Sequence, residues 1–206
     1  MTKALHIVLL GLVQLAAAAS LAADDLPNGL YAIFTTSKGV ITAKLDEKYT
    51  PIAVANFVGL ATGTRAWRDP KTHMMIKRPM YDNITFHRVI HDEMIQSGDP
   101  TGTSAHDCGF TIRDEFLIGK TFNRPGRLAV ANAGVPNSGA CQFFITTGAV
   151  SRWDNMYTIF GDVVSGMPVV MEINRGKLRG DKPDDPVQLI TVRIRRVGPP
   201  PQVKKK

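Results

Sequence analysis

His87 and His91 stand four residues apart, the spacing at which two imidazoles share one helix face and could hold a metal ion. The run around them, Ile84 to Ile90, is β-branched and aromatic, so it reads as a strand. In a strand their Cα atoms would lie about 13 Å apart, and a zinc-protease motif would need glutamate where Arg88 follows His87. We therefore expect no metal site there, and expect His87 to be a hydrogen-bonded core residue. Gly98, Gly102 and Gly109 are not followed by the Gly-Lys-Ser/Thr of a phosphate loop, and no serine sits in a Gly-x-Ser-x-Gly elbow. Nucleotide and serine-hydrolase chemistry are set aside. The polar residues of interest lie instead in apolar runs: Arg88 in Phe86-His87-Arg88-Val89-Ile90, Gln96 in Met94-Ile95-Gln96-Ser97-Gly98-Asp99, Asn132 in Ala131-Asn132-Ala133-Gly134, and Gln142 in Gln142-Phe143-Phe144-Ile145-Thr146. Taken alone, Arg88 would be a surface arginine on a strand edge.

The elements that must carry these residues are mostly short strands. Tyr31 to Thr36 and Val40 to Leu45, separated by Ser37-Lys38-Gly39, predict a hairpin. Thr50-Pro51 then supplies a capping hydroxyl and a proline at the first helical position, and the apolar periodicity from Ile52 to Leu60, ending at Gly63, predicts a helix. Thr64 to Met80 reads as a polar loop in which Trp67 is a packing anchor. Further strands are expected at Ile84 to Ile90, Met94 to Ser97, Arg127 to Ala131, Gln142 to Thr147, Thr158 to Val164 and Val187 to Val197, with a second helix from near Pro168 to before Gly176. Many short strands with two helices suggest a closed β-barrel with helical caps.

At the N-terminus, Lys3 precedes an apolar run from Ala4 to Ala19 and the small residues Ser20-Leu21-Ala22, the layout of a secretory signal peptide with cleavage after Ala22; Ala19 is a second candidate. The run is shorter than a bilayer span needs, so we expect residues 1–22 to be removed and no stable membrane insertion. The rest suffices for one domain, placed at 28–198, followed by a solvated Pro/Lys tail at 199–206. The formal charge of +7 is scattered apart from Arg193-Arg195-Arg196 and Lys204 to Lys206, which together with export argues against a nucleic-acid partner.

The four apolar runs quoted above, in their order and spacing, resemble the active-site strands of the cyclophilins, the prolyl cis-trans isomerases, and the likeness extends from about Gly29 to Val197. The resemblance implies an eight-stranded antiparallel barrel closed at each end by a helix, acting without metal, nucleotide or cofactor. It implies that Arg88 is the catalytic arginine and that Gln96 orients it and contacts substrate. Ala131, Asn132, Ala133 and Gln142 would line the substrate groove, with the Asn132 backbone pairing the substrate strand; Met94, Phe144, Trp153 and Tyr157 would bind around the proline. The implied role is to speed X-Pro isomerisation in exported proteins, in the bacterial periplasm or a secretory pathway, as a monomer. A non-catalytic binder of proline-containing segments, a chaperone or scaffold of the same fold, is the alternative.

Three positions depart from the family pattern. Glu93 stands where an aromatic residue usually helps form the proline pocket; facing the pocket it would be poorly solvated or pair with Arg88 and compete with substrate, and otherwise it would point to solvent and leave Met94 and Phe144 to close the pocket. Tyr157 replaces a histidine common in eukaryotic members. Arg152 falls where the family's tryptophan grips cyclosporin, with Trp153 one place later, so we expect weak cyclosporin binding at most. In the family's arrangement Cys108 and Cys141 lie close together, and in an oxidising compartment they would form a disulfide; two separate buried thiols are the alternative.

Overall fold

The computed structural model describes residues 26–201; the expected signal peptide over 1–22 and the last part of the tail lie outside them. In chain order the elements are β1 (Gly29–Thr36), β2 (Gly39–Leu45), helix α1 (Pro51–Thr62), β3 (Trp67–Arg68), β4 (Met75–Ile76), β5 (Ile84–Thr85), β6 (Arg88–Ile90), β7 (Met94–Ser97), β8 (Arg127–Val130), β9 (Phe143–Thr146), β10 (Ile159–Ser165), helix α2 (Met167–Asn174), β11 (Leu178–Arg179), β12 (Lys182–Pro183) and β13 (Gln188–Val197). Nine strands make one curled antiparallel sheet, a half-barrel, in the order β5-β13-β1-β2-β10-β8-β9-β7-β6. Two two-stranded ribbons, β3 with β4 and β11 with β12, stand apart from it.

The predicted hairpin forms with Thr36 opposite Gly39. The run read as one strand from Ile84 to Ile90 is instead broken at Phe86-His87, and its halves lie at opposite ends of the sheet order. The Phe86 N–H bonds to the Val187 carbonyl at 3.0 Å, whereas Val89 bonds to the Asp181 carbonyl at 2.8 Å. The two halves therefore take their partners from different segments. The expected loop over 64–80 contains the β3–β4 ribbon, and Trp67 within it is buried, its indole N–H donating to the Arg78 carbonyl at 2.9 Å.

Helix α1 starts at Pro51 as predicted, but the Thr50 hydroxyl does not cap it. That hydroxyl donates to the Asp46 carbonyl, 3.3 Å away. Its place is taken by Glu115, whose carboxylate accepts from the Ile52 and Ala53 N–H groups at 3.1 and 2.9 Å. A negative charge there satisfies two orphan donors and meets the positive end of the helix dipole.

Phe57, from the middle of α1, fills the core. Its ring lies 5.9 Å from Phe34, 5.2 Å from Tyr81, 5.5 Å from Phe143 and 5.1 Å from Phe160. Such ring pairs add about 0.5–1.5 kcal/mol each beyond the area they bury.

Candidate functional site

Successive side chains of a strand point to opposite faces, and in β6, β7 and β9 that alternation divides core from site. Val89, Ile95, Phe143 and Ile145 belong to the main core. Met94 and Phe144 belong to a second, smaller cluster with Phe122, Ala129, Val150 and Ile159, against which Ile90, Ala131, Trp153 and Tyr157 pack. The strand register then sets Arg88 opposite Gln96, Gln96 opposite Phe144, and Phe144 opposite Ala129. Directly opposed residues on one face have Cβ atoms about 4.5–5.5 Å apart. Ladder geometry alone therefore lines up a guanidinium, an amide and an aromatic ring across three strands.

Two adjoining clefts run along this row. One, of about 450 Å³, is a groove whose lining includes Ser104, His106, Ala133, Gln142 and both cysteines. The other, of about 280 Å³, is lined by Ile90, Glu93, Met94, Phe144, Arg152, Trp153 and Tyr157. Arg88, Gln96, Ala131 and Asn132 line both and form the boundary between them. All ten residues picked out from the sequence as catalytic or substrate-binding are thus brought to one continuous surface.

Arg88 is held from two sides. Its Nε donates to the Asp181 carboxylate at 2.6 Å, and its Nη1 donates to Gln96 Oε1 at 3.2 Å. Gln96 is buried, and its Nε2 donates to Gln142 Oε1 at 2.8 Å; Gln142 in turn donates to the Ser104 carbonyl at 3.1 Å. This relay fixes which way each amide faces. The hydrogen bond from Arg88 holds the Asp181 carboxyl below the usual carboxylate range.

The second cleft has an aromatic wall. The Phe144 ring lies 5.9 Å from Phe122 in a stacked arrangement, and Trp153 and Tyr157 meet it edge-on at 5.5 and 5.2 Å. Trp153 comes from a single 3-10 turn, Ser151–Trp153. Asp154 just after it accepts the Phe122 N–H at 2.7 Å, tying that turn to the cluster. Opposite, the turn between β6 and β7 is pinned by buried Asn174 of α2, which donates to the Ile90 carbonyl at 2.8 Å and accepts the Asp92 N–H at 2.9 Å.

Glu93 takes none of the courses expected of it. It lines the second cleft but pairs with Arg152 at 2.5 Å, while Arg88 pairs with Asp181. Two departures from the family pattern thus meet as one ion pair, which removes the competition for Arg88. Asp181, Ser104 and Asn174 are the site residues that reasoning from the sequence missed, and it missed the pairing of Arg152 with Glu93. Only that pairing carried a signal, opposite charges at two of the three departing positions.

Cys108 and Cys141 form a disulfide with Cα atoms 6.3 Å apart, spanning 33 positions. It joins the loop after Asp99 to the residue preceding Gln142, so it ties together two segments that line the groove. His87 is buried as expected, yet neither ring nitrogen has a partner in hydrogen-bonding geometry among the described residues. Burial holds its pKa below the ordinary value, with nearby Asp99 opposing.

A family model described as cyclophilin type peptidyl-prolyl cis-trans isomerase/CLD matches residues 31–195. The chain is 41% identical over 162 residues to peptidyl-prolyl cis-trans isomerase A of Mycobacterium tuberculosis, covering 77% of this chain and 88% of that protein. It is 42% identical over 134 residues to peptidyl-prolyl cis-trans isomerase B of Streptomyces anulatus, covering 65% and 76%. Among solved structures, a Cryptosporidium parvum cyclophilin type peptidyl-prolyl cis-trans isomerase, crystallised in the presence of the dipeptide Ala-Pro, superimposes with a TM-score of 0.70 at 26% identity, covering 81% of this chain and 99% of that one.

Proposed function

Because the chain belongs to the cyclophilin-type peptidyl-prolyl cis-trans isomerases, we propose that its two clefts bind a proline-containing segment and that Arg88 accelerates rotation about the X-Pro bond. The barrier, about 18–20 kcal/mol, is the amide resonance lost at the perpendicular geometry. At that point the prolyl nitrogen has regained a lone pair, and only interactions stronger there than in the planar ground state speed the reaction. A guanidinium aimed at that nitrogen is such an interaction, since it donates hydrogen bonds and keeps its charge. Arg88 commits N–H groups to Asp181 and Gln96, which sets its plane and leaves other donors of its five for the substrate.

The observation that carries this reading is the position of Arg88 on the boundary between a cleft walled by Met94, Phe144, Trp153 and Tyr157 and the adjoining groove. The Ala-Pro dipeptide present with the Cryptosporidium relative supports proline-containing polypeptides as the substrate class. Met94, Phe144, Trp153 and Tyr157 would hold the ring, and Ala131, Asn132, Ala133 and Gln142 the segment before it. The test is cis-to-trans exchange in a short Ala-Pro-Phe peptide, followed by NMR. We expect catalysis by the intact chain and a loss of about 10²–10³-fold in Arg88→Ala. No catalysis by the intact chain would leave the second reading, a proline-segment binder, which a carboxylate at position 93 in place of an aromatic residue favours.

The export layout of the N-terminus and the disulfide support a role in folding exported proteins, in a bacterial periplasm or along a secretory route. On this reading residues 1–22 are removed, 28–198 form the isomerase domain, and 199–206 extend as a tail on a monomer. The Arg152 position supports weak cyclosporin binding. Closure of the barrel is supported by the chain continuing from β5 to β6 through Phe86-His87; counted as one bent strand, the nine become eight.

A further inference from the structure

The aromatic-walled cleft carries three charged residues, Arg88, Glu93 and Arg152. Arg88 sits on the boundary with the groove and is balanced by Asp181. The other two form an ion pair on the cleft's own lining. The members of that pair are unequally placed, since the Arg152 side chain is 60% exposed and that of Glu93 only 24%. Arg152 is fixed in two ways, through Glu93 at 2.5 Å and over the Trp153 ring at 5.2 Å. The charge offered to solvent at this rim is therefore a guanidinium, held in place, with the carboxylate tucked beneath it.

The direction of a bound chain follows from the chemistry proposed above. The prolyl nitrogen faces Arg88, and the residue bonded through that nitrogen is the one before proline, which must run into the groove that Arg88 also lines. The chain after proline leaves from the other side of the ring, across the Glu93–Arg152 rim. We propose that Arg152, oriented by Glu93, is a specificity-determining residue that makes this chain favour substrates with an acidic residue immediately after the proline. The inference rests on the isomerase reading of the same site. A planar fork with donors beyond the one given to Glu93 meets a carboxylate well. A lysine at the same place would meet like charge.

The test uses acetylated, amidated peptides Ala-Ala-Pro-Xaa-Ala with Xaa as Asp, Asn or Lys. Catalysed exchange is measured by NMR and normalised to each peptide's uncatalysed rate. At low salt we expect the intact chain to process the Asp peptide about three- to fivefold better than the Lys peptide, the range open to one exposed charge pair, and the ratio to shrink at about 0.5 M salt. Arg152→Gln should bring the ratio to unity, and Glu93→Gln, which removes the opposing charge while keeping an acceptor that orients the guanidinium, should raise it. Equal handling of Asp and Lys peptides by the intact chain, or an unchanged preference in Arg152→Gln, overturns the proposal. Should no peptide be turned over, the isomerase reading fails separately; chemical-shift titration of the same peptides then decides, tighter Asp binding upholding the charge preference and equal affinities refuting it.

Discussion

Arg88 and Asp181 lie 93 positions apart in the chain, yet the carboxylate accepts the arginine's Nε–H at 2.6 Å. The Asp181 carbonyl also accepts the N–H of Val89, next to Arg88, at 2.8 Å. One residue of the turn between β11 and β12 thus holds both the backbone beside the guanidinium and the guanidinium itself.

Asp181 acts through Arg88 as a positioning residue. We expect Asp181→Ala to lower kcat about tenfold with little change in KM, and Asp181→Asn, which keeps an acceptor, to recover much of the loss. A loss confined to KM, or equal rates in all three proteins, would contradict this. Because the Arg88 hydrogen bond holds the carboxyl below its usual range, its stabilising charge is fully present above that range and is lost only as pH falls below it. The rate should therefore show no step from this group between pH 8 and about pH 5.

The Cys108–Cys141 bond closes 33 positions. In the chain-entropy model a loop of that size contributes about 3–4 kcal/mol by restricting the unfolded state. Reduction, or the double change of both cysteines to serine, should lower the urea-unfolding free energy by about that amount. Mass spectrometry with alkylation should show no free thiol before reduction.

Glu115 caps α1 from outside the helix. Glu115→Ala removes the acceptor of two N–H groups and should cost about 1–2 kcal/mol in urea unfolding. Thr50→Ala, at the position the sequence favours for a cap, should cost less.

His87 and His106 both have pKa values lowered, in each case mainly by burial. The unfolded chain therefore takes up protons first as pH falls below about 6.5, while the folded chain does not. Their contribution to stability is intact above that pH and is lost progressively as pH drops toward the folded values. Urea midpoints should fall between pH 7.5 and 5, and His87→Gln should flatten that slope. A pH-independent midpoint in the parent protein would rule the effect out.

Much of the site was legible because it is local. Arg88, Gln96 and Phe144 sit in the short runs that carry the family resemblance, and the register of β6, β7 and β9 brings those runs side by side. What was illegible depends on contacts closed over long stretches of chain. Asp181 lies in a polar turn with nothing to link it to Arg88. The Glu93 partner could not be chosen without knowing that the turn after Ile90 and the turn at Ser151 face each other. The cap on α1 went to a carboxylate 62 positions away rather than to the adjacent hydroxyl. The break at Phe86-His87 was hidden because both halves of the run have strand composition, and only their different partners separate them.

In β6, β7 and β9 the even-numbered residues Arg88, Met94, Gln96 and Phe144 make the site, and the odd-numbered Val89, Ile95, Phe143 and Ile145 make the core. Parity along the chain therefore separates two heritable traits. Exchanges at even positions retune what is bound, at a cost to the smaller cluster where they touch Met94 or Phe144; exchanges at odd positions draw on the main core and leave the cleft lining unchanged. A one-residue insertion or deletion within these strands is the one lesion that exchanges the two sets, placing a guanidinium and an amide in the oil and aliphatic side chains in the cleft.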